Sequence, residues 1–518
     1  MKNNYKGIIN TDRKLFFTVG KSLFVGVLVG VVVVAYRWLL GEAESLSFAM
    51  YGTIRGGAAP AVFCLFAGLA AAGAFIGLLV RRCPLISGSG IPQVKGILLG
   101  YFQNSWLATL LAKFFGGALC IVAGLSLGRE GPSIQLGACV ADGFAQRYGA
   151  TRMERKLLMA SGASAGLAAA FNAPLAGVVF TLEEVFKYFS PAILLSAMTA
   201  SVAADFVSKY VFGMAPIFQF PVEGALPLTA YWCLLPLGIL LGLSGALYNR
   251  VLLGTQSAYK RVSFLPDWAR PIVPFACAGV LGLCFPMVLG GGHAMLSLFT
   301  LDTAAGLLLA ALAVKFLFSM VSFGSGAPGG IFFPLLVMGA AVGAWFGQLA
   351  VTYAGIDPVL FYNFVIISMA GFFAAIVRAP ITGIVLIVEM TGSFSHMLSL
   401  TVVSLIAYLT ADLVSSQPIY DSLLARQVKG NRRLHIEEDT DKKITFEIIV
   451  QLGSPAAGKK VSEVAWPSQC LLIAVKRGGR EFIPKGRTVI LPGDYLICLS
   501  PLSIEAEIRK KLRQLVTP

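Results

Sequence analysis

Three short glycine-rich segments, each containing proline, form a pattern suited to holding an anion. They are Gly88-Ser89-Gly90-Ile91-Pro92, Gly128-Arg129-Glu130-Gly131-Pro132, and Gly324-Ser325-Gly326-Ala327-Pro328-Gly329-Gly330-Ile331-Phe332-Phe333-Pro334. Each ends in proline or apolar residues able to start a helix, and proline fits the first helical turn. The free N–H groups of a helix start attract an anion through partial charge alone. A Lys or Arg would hold the ion more tightly, which does not suit an ion that has to leave again. Glycine lets backbone approach closely. It also serves tight helix packing, so one such segment would be ambiguous; three in one chain favour an anion. Glu130 stands between glycines beside these helix starts, and a carboxylate in apolar surroundings is costly unless it functions. Its structural alternatives are an N-cap interaction or an ion pair with Arg129.

The elements that position these segments are membrane helices. Of 518 residues, 57% are hydrophobic and 13% charged, against roughly 25% charged in soluble domains. Residues 56–80, 157–182, 224–249 and 271–301 each lack any Asp, Glu, Lys or Arg, and a span needs roughly 20 apolar residues. So many long uncharged runs exclude a large soluble protein. The net charge of +15 fits positive-inside topology better than nucleic-acid binding. Lys2, Lys6, Arg13, Lys14 and Lys21 precede the first apolar run, which predicts a cytosolic N-terminus; no signal-peptide cleavage site is apparent. Nine scattered cysteines form no C-x-x-C pair and read as small core residues, while the histidines at 293, 396 and 435 read as structural. No metal or cofactor site emerges. Neither a nucleotide loop nor a metal cluster appears, so an enzyme is not expected.

The membrane part repeats internally. Residues 168–183 and 374–389 match at seven of 16 positions, including Pro174/Pro380, Gly177/Gly383 and Glu183/Glu389. A second alignment, at an offset of 202, pairs Gly128/Gly330, Pro132/Pro334 and Gly137/Gly339. Two related halves, about 20–220 and 225–420, fit a transporter built from repeats. Residues 316–356 are uncharged over 41 positions, too long for one span. Gly324 to Pro334 breaks them, and broken backbone survives in a membrane only inside protein or beside a cavity. Composition changes near residue 421. The expected organisation is a cytosolic arm 1–20, a membrane domain 21–425, a charged linker 426–443 and a small α+β domain 444–518. In that last domain, Ile444–Gln451, Leu471–Lys476, Thr488–Leu491 and Tyr495–Leu499 read as strands, and Ser503–Leu515 as a helix.

Taken together, the three segments resemble the chloride channels and chloride/proton antiporters, over roughly residues 20–426. They match that family's G-S-G-I-P, G-R-E-G-P and G-x-F-x-P-type signatures, and Tyr420 in Gln417-Pro418-Ile419-Tyr420 matches the family tyrosine. The resemblance implies an all-α inverted-repeat bundle with broken helices, usually a homodimer with one pore per subunit. It implies that the hydroxyls of Ser89 and Tyr420 and the N–H groups of Ile331 and Phe332 coordinate the central anion. Glu130 is then the external gating glutamate, whose carboxylate competes with the anion until it is protonated. Glu184 matches the internal proton-transfer glutamate, through Phe171-Asn172-Ala173-Pro174 and the pair Glu183-Glu184. A solvated rim carboxylate near Lys187 is its bland alternative. Glu183 and Glu389 read as repeat-related structural carboxylates, paired or capping. Ser89 and the intact Arg129-Glu130 resemble the chloride branch rather than nitrate or fluoride branches. Gln93 departs from the commoner Glu, which in the family lies near a lysine matched by Lys113; Lys113 is expected as a structural cation near helix dipoles.

Residues 436–518 resemble the TrkA-C domains of potassium-transport regulators, through Gly458…Val461, Ile473–Arg477 with Gly478-Gly479, and Leu491-Pro492-Gly493-Asp494-Tyr495. That resemblance implies dimerisation and a small-molecule ligand; the alternative is a passive assembly domain. With both Glu130 and Glu184 present, exchange of chloride for protons is the expected activity. A passive voltage- or ligand-gated chloride channel is the second reading, and a ligand sensor with a membrane anchor the third. The expected location is the cell membrane, multi-pass, with both termini cytosolic.

Overall fold

Proline and glycine set most helix boundaries. A computed structural model describes residues 2–187, 189–222, 224–262, 266–430, 443–478, 480–501 and 504–518; among them, the side chains of 2–16, 430 and 506 are not described. The first half comprises α1 (Lys2–Ile54), α2 (Ala59–Arg82), α3 (Ile91–Leu99), α4 (Trp106–Val122), α5 (Glu130–Arg147), α6 (Arg152–Phe171), α7 (Pro174–Phe180) and α8 (Pro191–Phe212). Pro92, Pro174 and Pro191 lie at the first turns of α3, α7 and α8, where a missing N–H costs nothing. The second half comprises α9 (Leu234–Arg261), α10 (Ile272–Cys284), α11 (Ala305–Gly324), α12 (Phe332–Ala354), α13 (Phe361–Val377), α14 (Pro380–Thr391), α15 (Met397–Leu413) and α16 (Ile419–Gly430). The long uncharged stretch is therefore two helices, α11 and α12, separated by the glycine-proline break. Seven helical segments among the described residues are long and apolar enough to cross a membrane.

The repeat extends further than the sequence matches indicate. At the offset of 202, Glu130 and Phe332 open α5 and α12; at 206, Phe171 and Val377 close α6 and α13. The next residues, Asn172 and Arg378, are both left-handed, with φ of 53° and 69°. The correspondence breaks at α3, whose counterpart is a 3₁₀ segment, His293–Leu298. The two halves meet as a reciprocal pair. Gly128 N–H donates to Gly330 O at 2.7 Å, and Gly330 N–H to Gly128 O at 2.8 Å. Such mutual bonding between equivalent residues is what a two-fold axis between the halves produces.

Packing separates inside from outside. Small residues along α6, from Ala160 to Ala170, are all buried, which lets α5 and α6 lie close. All of α13 but Tyr362 is buried, so this span is wrapped by protein. By contrast Phe63 and Phe75 on α2, and Phe206 and Tyr210 on α8, are exposed, as lipid-facing side chains are. Not all cysteines are core residues: Cys64 and Cys284 lie on the exposed flanks of α2 and α10, where an apolar side chain meets lipid at no cost.

The chain divides into two compact units, Met1–Arg432 and Arg433–Pro518. The second has a four-stranded antiparallel sheet of order β1-β4-β2-β3, from β1 (Lys443–Ile449), β2 (Leu471–Arg477), β3 (Arg480–Phe482) and β4 (Tyr495–Pro501). Helix α17 (Glu505–Val516) contributes Ile508, Leu512 and Val516 to its core with Phe446, Val475 and Leu496. Thr488–Leu491 is not a strand, since only Val489 makes an isolated bridge, to Lys460. The short strand β3 takes the edge instead. The charged residues Arg432 to Lys442 of the expected linker lie outside the described residues.

Candidate functional site

The three glycine-rich segments meet. Gly329 N–H donates to Gly88 O at 3.0 Å, beside the mutual Gly128–Gly330 pair, and Ser87 Oγ donates to Gly326 O at 3.0 Å. Three helix starts, those of α3, α5 and α12, therefore point into one region. Gly90 caps α3 with φ of 101°, a conformation in which a side chain would be strained. Gly131 lies so close to Ser89 that a Cβ there would collide with the hydroxyl and carbonyl of Ser89. The turn and the close approach explain why glycines flank this serine.

Ser89 and Tyr420 converge from distant parts of the chain. Both are buried, at 1% and 0% exposure. Their hydroxyls approach one another without closing a well-formed hydrogen bond, and neither has another protein partner. Two buried hydroxyls aimed together without partners are costly in a protein interior. An anion accepting from both would remove that cost. Nearby, α12 begins at Phe332, with Leu335 N–H bonding back to Ile331 O at 3.0 Å. Helix geometry leaves the N–H groups of Ile331 and Phe332 without intrahelical partners. The ring of Phe332 is held by Phe171, Phe180 and Phe373, with centroids at 5.3, 6.4 and 4.8 Å.

Glu130 is fully buried. Its carboxylate is aimed at the N–H groups of Arg129, Glu130 itself and Phe333, yet neither oxygen completes a hydrogen bond. Arg129 Nε stands 3.9 Å from Oε1, too long for a tight pair, so the ion-pair alternative does not account for this side chain. A negative group resting between the starts of α5 and α12 occupies a place suited to an anion. The His293 ring stacks on Phe333 at 4.0 Å, and Nδ1 lies 3.7 Å from Glu44 Oε1.

Glu184 is not a solvated rim carboxylate. It is 2% exposed and accepts from Lys95 Nζ at 3.0 Å, while Lys187 pairs with Asp421 instead. Glu183 and Glu184 sit on one turn of π-helix, Thr181–Phe186, and go to different partners. Glu183 turns to the start of α14, accepting from Ile381 N at 3.2 Å, Thr382 N at 2.7 Å and Thr382 Oγ1 at 2.7 Å. Glu389 does the same for α7, accepting from Leu175 N at 3.0 Å and Ala176 N at 2.7 Å. Each half thus caps a helix of the other. Lys113 is a structural cation: its ammonium donates to Ile86 O at 2.8 Å and Gly88 O at 2.5 Å. Gln93 Nε2 donates to Ser87 O at 2.5 Å, so it braces the same turn without a charge.

Sequence reasoning missed Lys95 and Asp421, which only folding brings to Glu184. It also missed a fourth glycine-rich turn, Gly290-Gly291-Gly292, which repeats Gly88-Ser89-Gly90. There Lys315 donates to Val288 O at 2.9 Å and Gly290 O at 2.7 Å, as Lys113 does in the first half. The offset of 202, carried along the chain, would have found both.

Known proteins share this architecture. Residues 72–412 match the voltage gated chloride channel family, and residues 445–513 the TrkA-C domain. The chain is 34% identical over 438 residues to the H(+)/Cl(-) exchange transporter ClcA of Vibrio cholerae serotype O1, covering 82% of this chain and 92% of that protein. Against the ClcA of Salmonella typhimurium it is 33% identical over 463 residues, covering 85% and 96%. Among solved structures, a slow cyanobacterial Cl-/H+ antiporter superposes with a TM-score of 0.75 at 29% identity, covering 80% of this chain and 99% of that one. A eukaryotic CLC transporter shares the fold, with a TM-score of 0.67 at 22% identity, covering 80% and 74%. A multi-pass membrane protein with paired halves around a shared glycine-rich site, this chain belongs to the voltage gated chloride channel family, with a TrkA-C domain appended.

Proposed function

We propose that the chain is a secondary transporter that exchanges chloride for protons. One observation carries the reading: two buried carboxylates, Glu130 and Glu184, lie near the facing hydroxyls of Ser89 and Tyr420. The hydroxyls and the Ile331 and Phe332 N–H groups bind the anion, with binding weak enough to be reversible because no full positive charge is among the ligands. Glu130 occupies the outer part of this pathway as a carboxylate and leaves it when protonated. Glu184 delivers the proton from the inner side. The 34% identical relative named as an H(+)/Cl(-) exchanger supports this reading. A passive channel of the same fold is the alternative, and Glu184 disfavours it, because a channel has no use for a buried proton carrier.

In this reading both termini are cytosolic, two copies assemble with one pathway each, and the TrkA-C-like domain at 444–518 regulates transport by binding a small molecule. Purified protein in liposomes tests the exchange. A chloride gradient should drive protons uphill, and the reversal potential should depart from the chloride Nernst value. Glu130→Ala should lose proton movement and keep chloride flux; Glu184→Val should lose protons more than chloride. Chloride flux with no pH change in the wild type would refute exchange, and a wild-type-like E184V would refute the role given to Glu184.

A further inference from the structure

The carboxylate Glu184 belongs to a chain of four charges, and the exchange reading leaves the other three unused. Lys95 Nζ donates to Glu184 Oε1 at 3.0 Å and also to Asp421 Oδ1, while Asp421 Oδ2 accepts from Lys187. Lys95 comes from α3, the helix that begins beside Ser89, and Asp421 from α16, directly after Tyr420. Lys187 follows the π-turn that carries Glu184. Tyr420 also lies near Glu184, and beside the π-turn Leu157 of α6 and Ile193 and Ala197 of α8 pack in one apolar cluster with Leu182 and Phe186.

An ammonium as buried as Lys95, whose side chain is 6% exposed, is costly unless it is paired. Here two carboxylates pair it, from two different elements. The ammonium therefore fastens α3 to α16, and with them the two hydroxyls that face each other. The sum of the four charges is zero when Glu184 is ionised. Adding a proton to Glu184 leaves the group with one excess positive charge, and Lys95 then has Asp421 as its only carboxylate partner among the four.

We infer that Lys95 and Asp421 are positioning residues for exchange: their ion pair holds Ser89 and Tyr420 at binding distance, and the Lys95 ammonium conveys the charge state of Glu184 to the anion between them. This rests on Glu184 carrying the transported proton. When the proton arrives, the excess positive charge and the tightened Lys95–Asp421 pair favour chloride at the hydroxyls. When the proton leaves, neutrality returns and the anion is released more readily. Lys95 and Asp421 touch neither ion in this scheme.

The experiment measures chloride Kd by calorimetry and reversal potential in liposomes for K95M, K95R, D421N, D421E and E184V. Removing the cation in K95M leaves a net negative cluster, which should weaken chloride binding about tenfold. D421N unfastens Lys95 from α16 and its hydroxyl, so the charge state of Glu184 should bear less on chloride binding and the reversal potential should move toward the chloride Nernst value. K95R and D421E should restore most of the coupling, which a purely structural contact would not predict. If K95M does not yield folded protein, D421N against D421E carries the test. Wild-type Kd and reversal potential in K95M and D421N, with E184V still blocking protons, would overturn the inference and leave the role of Glu184 standing. A wild-type-like E184V would overturn both.

Discussion

Glu183→Ala should destabilise the membrane domain without altering what it transports. The carboxylate accepts three hydrogen bonds at the start of α14, two from backbone and one from the Thr382 hydroxyl. Losing an N-cap acceptor costs about 1 kcal/mol, and each buried donor left unpaired about 1–3 kcal/mol. Glu183 is half-buried, so the lower end applies to the Ile381 and Thr382 N–H groups, and the Thr382 hydroxyl can rotate to another acceptor. The expected loss is about 3 kcal/mol. Glu183→Gln keeps one acceptor oxygen and loses the favourable interaction of charge with the helix dipole, about 0.5–1 kcal/mol, so it should fall well short of the alanine variant. The assay is denaturant-driven unfolding in detergent, read by tryptophan fluorescence, with the liposome reversal potential measured on the same preparations. Stability dropping in the order wild type, E183Q, E183A at a constant reversal potential is the expected result. An altered reversal potential at unchanged stability would refute the structural assignment and place Glu183 in the proton path.

Other outcomes follow from the same geometry. Glu389→Ala should cost about 2 kcal/mol by the same reasoning, since it caps two backbone donors of α7; unfolding midpoints check this. Ser89→Pro removes one of the two facing hydroxyls and should shift selectivity from chloride toward nitrate, read as relative uptake of the two anions into liposomes. Gly131→Ala should reduce chloride affinity more than fold stability, because the new Cβ presses on Ser89; calorimetry against the unfolding midpoint separates the two. Asp494→Asn should loosen the C-terminal unit of the full-length protein. Asp494 is fully buried and accepts from Arg477 Nε and Nη2 at 2.7 Å each and from Leu491 N at 2.8 Å. A loss of about 2–3 kcal/mol should raise amide hydrogen exchange across β1 and β4.

How much of this was legible in the sequence depends on the range of the interaction. Helix starts after Gly90, Arg129 and Ile331 are local matters of glycine and proline, and the structure has them there. The pairing of Glu183 with Glu389 as capping residues came from the repeat, a long-range signal that survives because equivalent positions bear equivalent loads. Lys95 had no such signal. Its helix has only a 3₁₀ turn as a counterpart, and its partners lie 89 and 326 residues away. Lys113 is expected as a structural cation near helix dipoles, and the structure shows how: its ammonium donates to two backbone carbonyls. The strand expected at Thr488–Leu491 failed for the opposite reason: a β-branched run beside a Pro-Gly turn has the right composition, but the places in the sheet beside β2 are taken by β3 and β4.

The crossed caps also dictate an order of events during synthesis. Leu175 N–H waits for an acceptor 214 residues downstream, and Ile381 N–H takes one made 198 residues earlier. When the first half has entered the bilayer, the start of α7 is therefore unfinished, and hydrocarbon offers no substitute acceptor. That end stays near the membrane surface or in contact with water until α14 arrives. The first half is thus a dependent intermediate, and α7 and α14 complete their folding together, as one late and cooperative step.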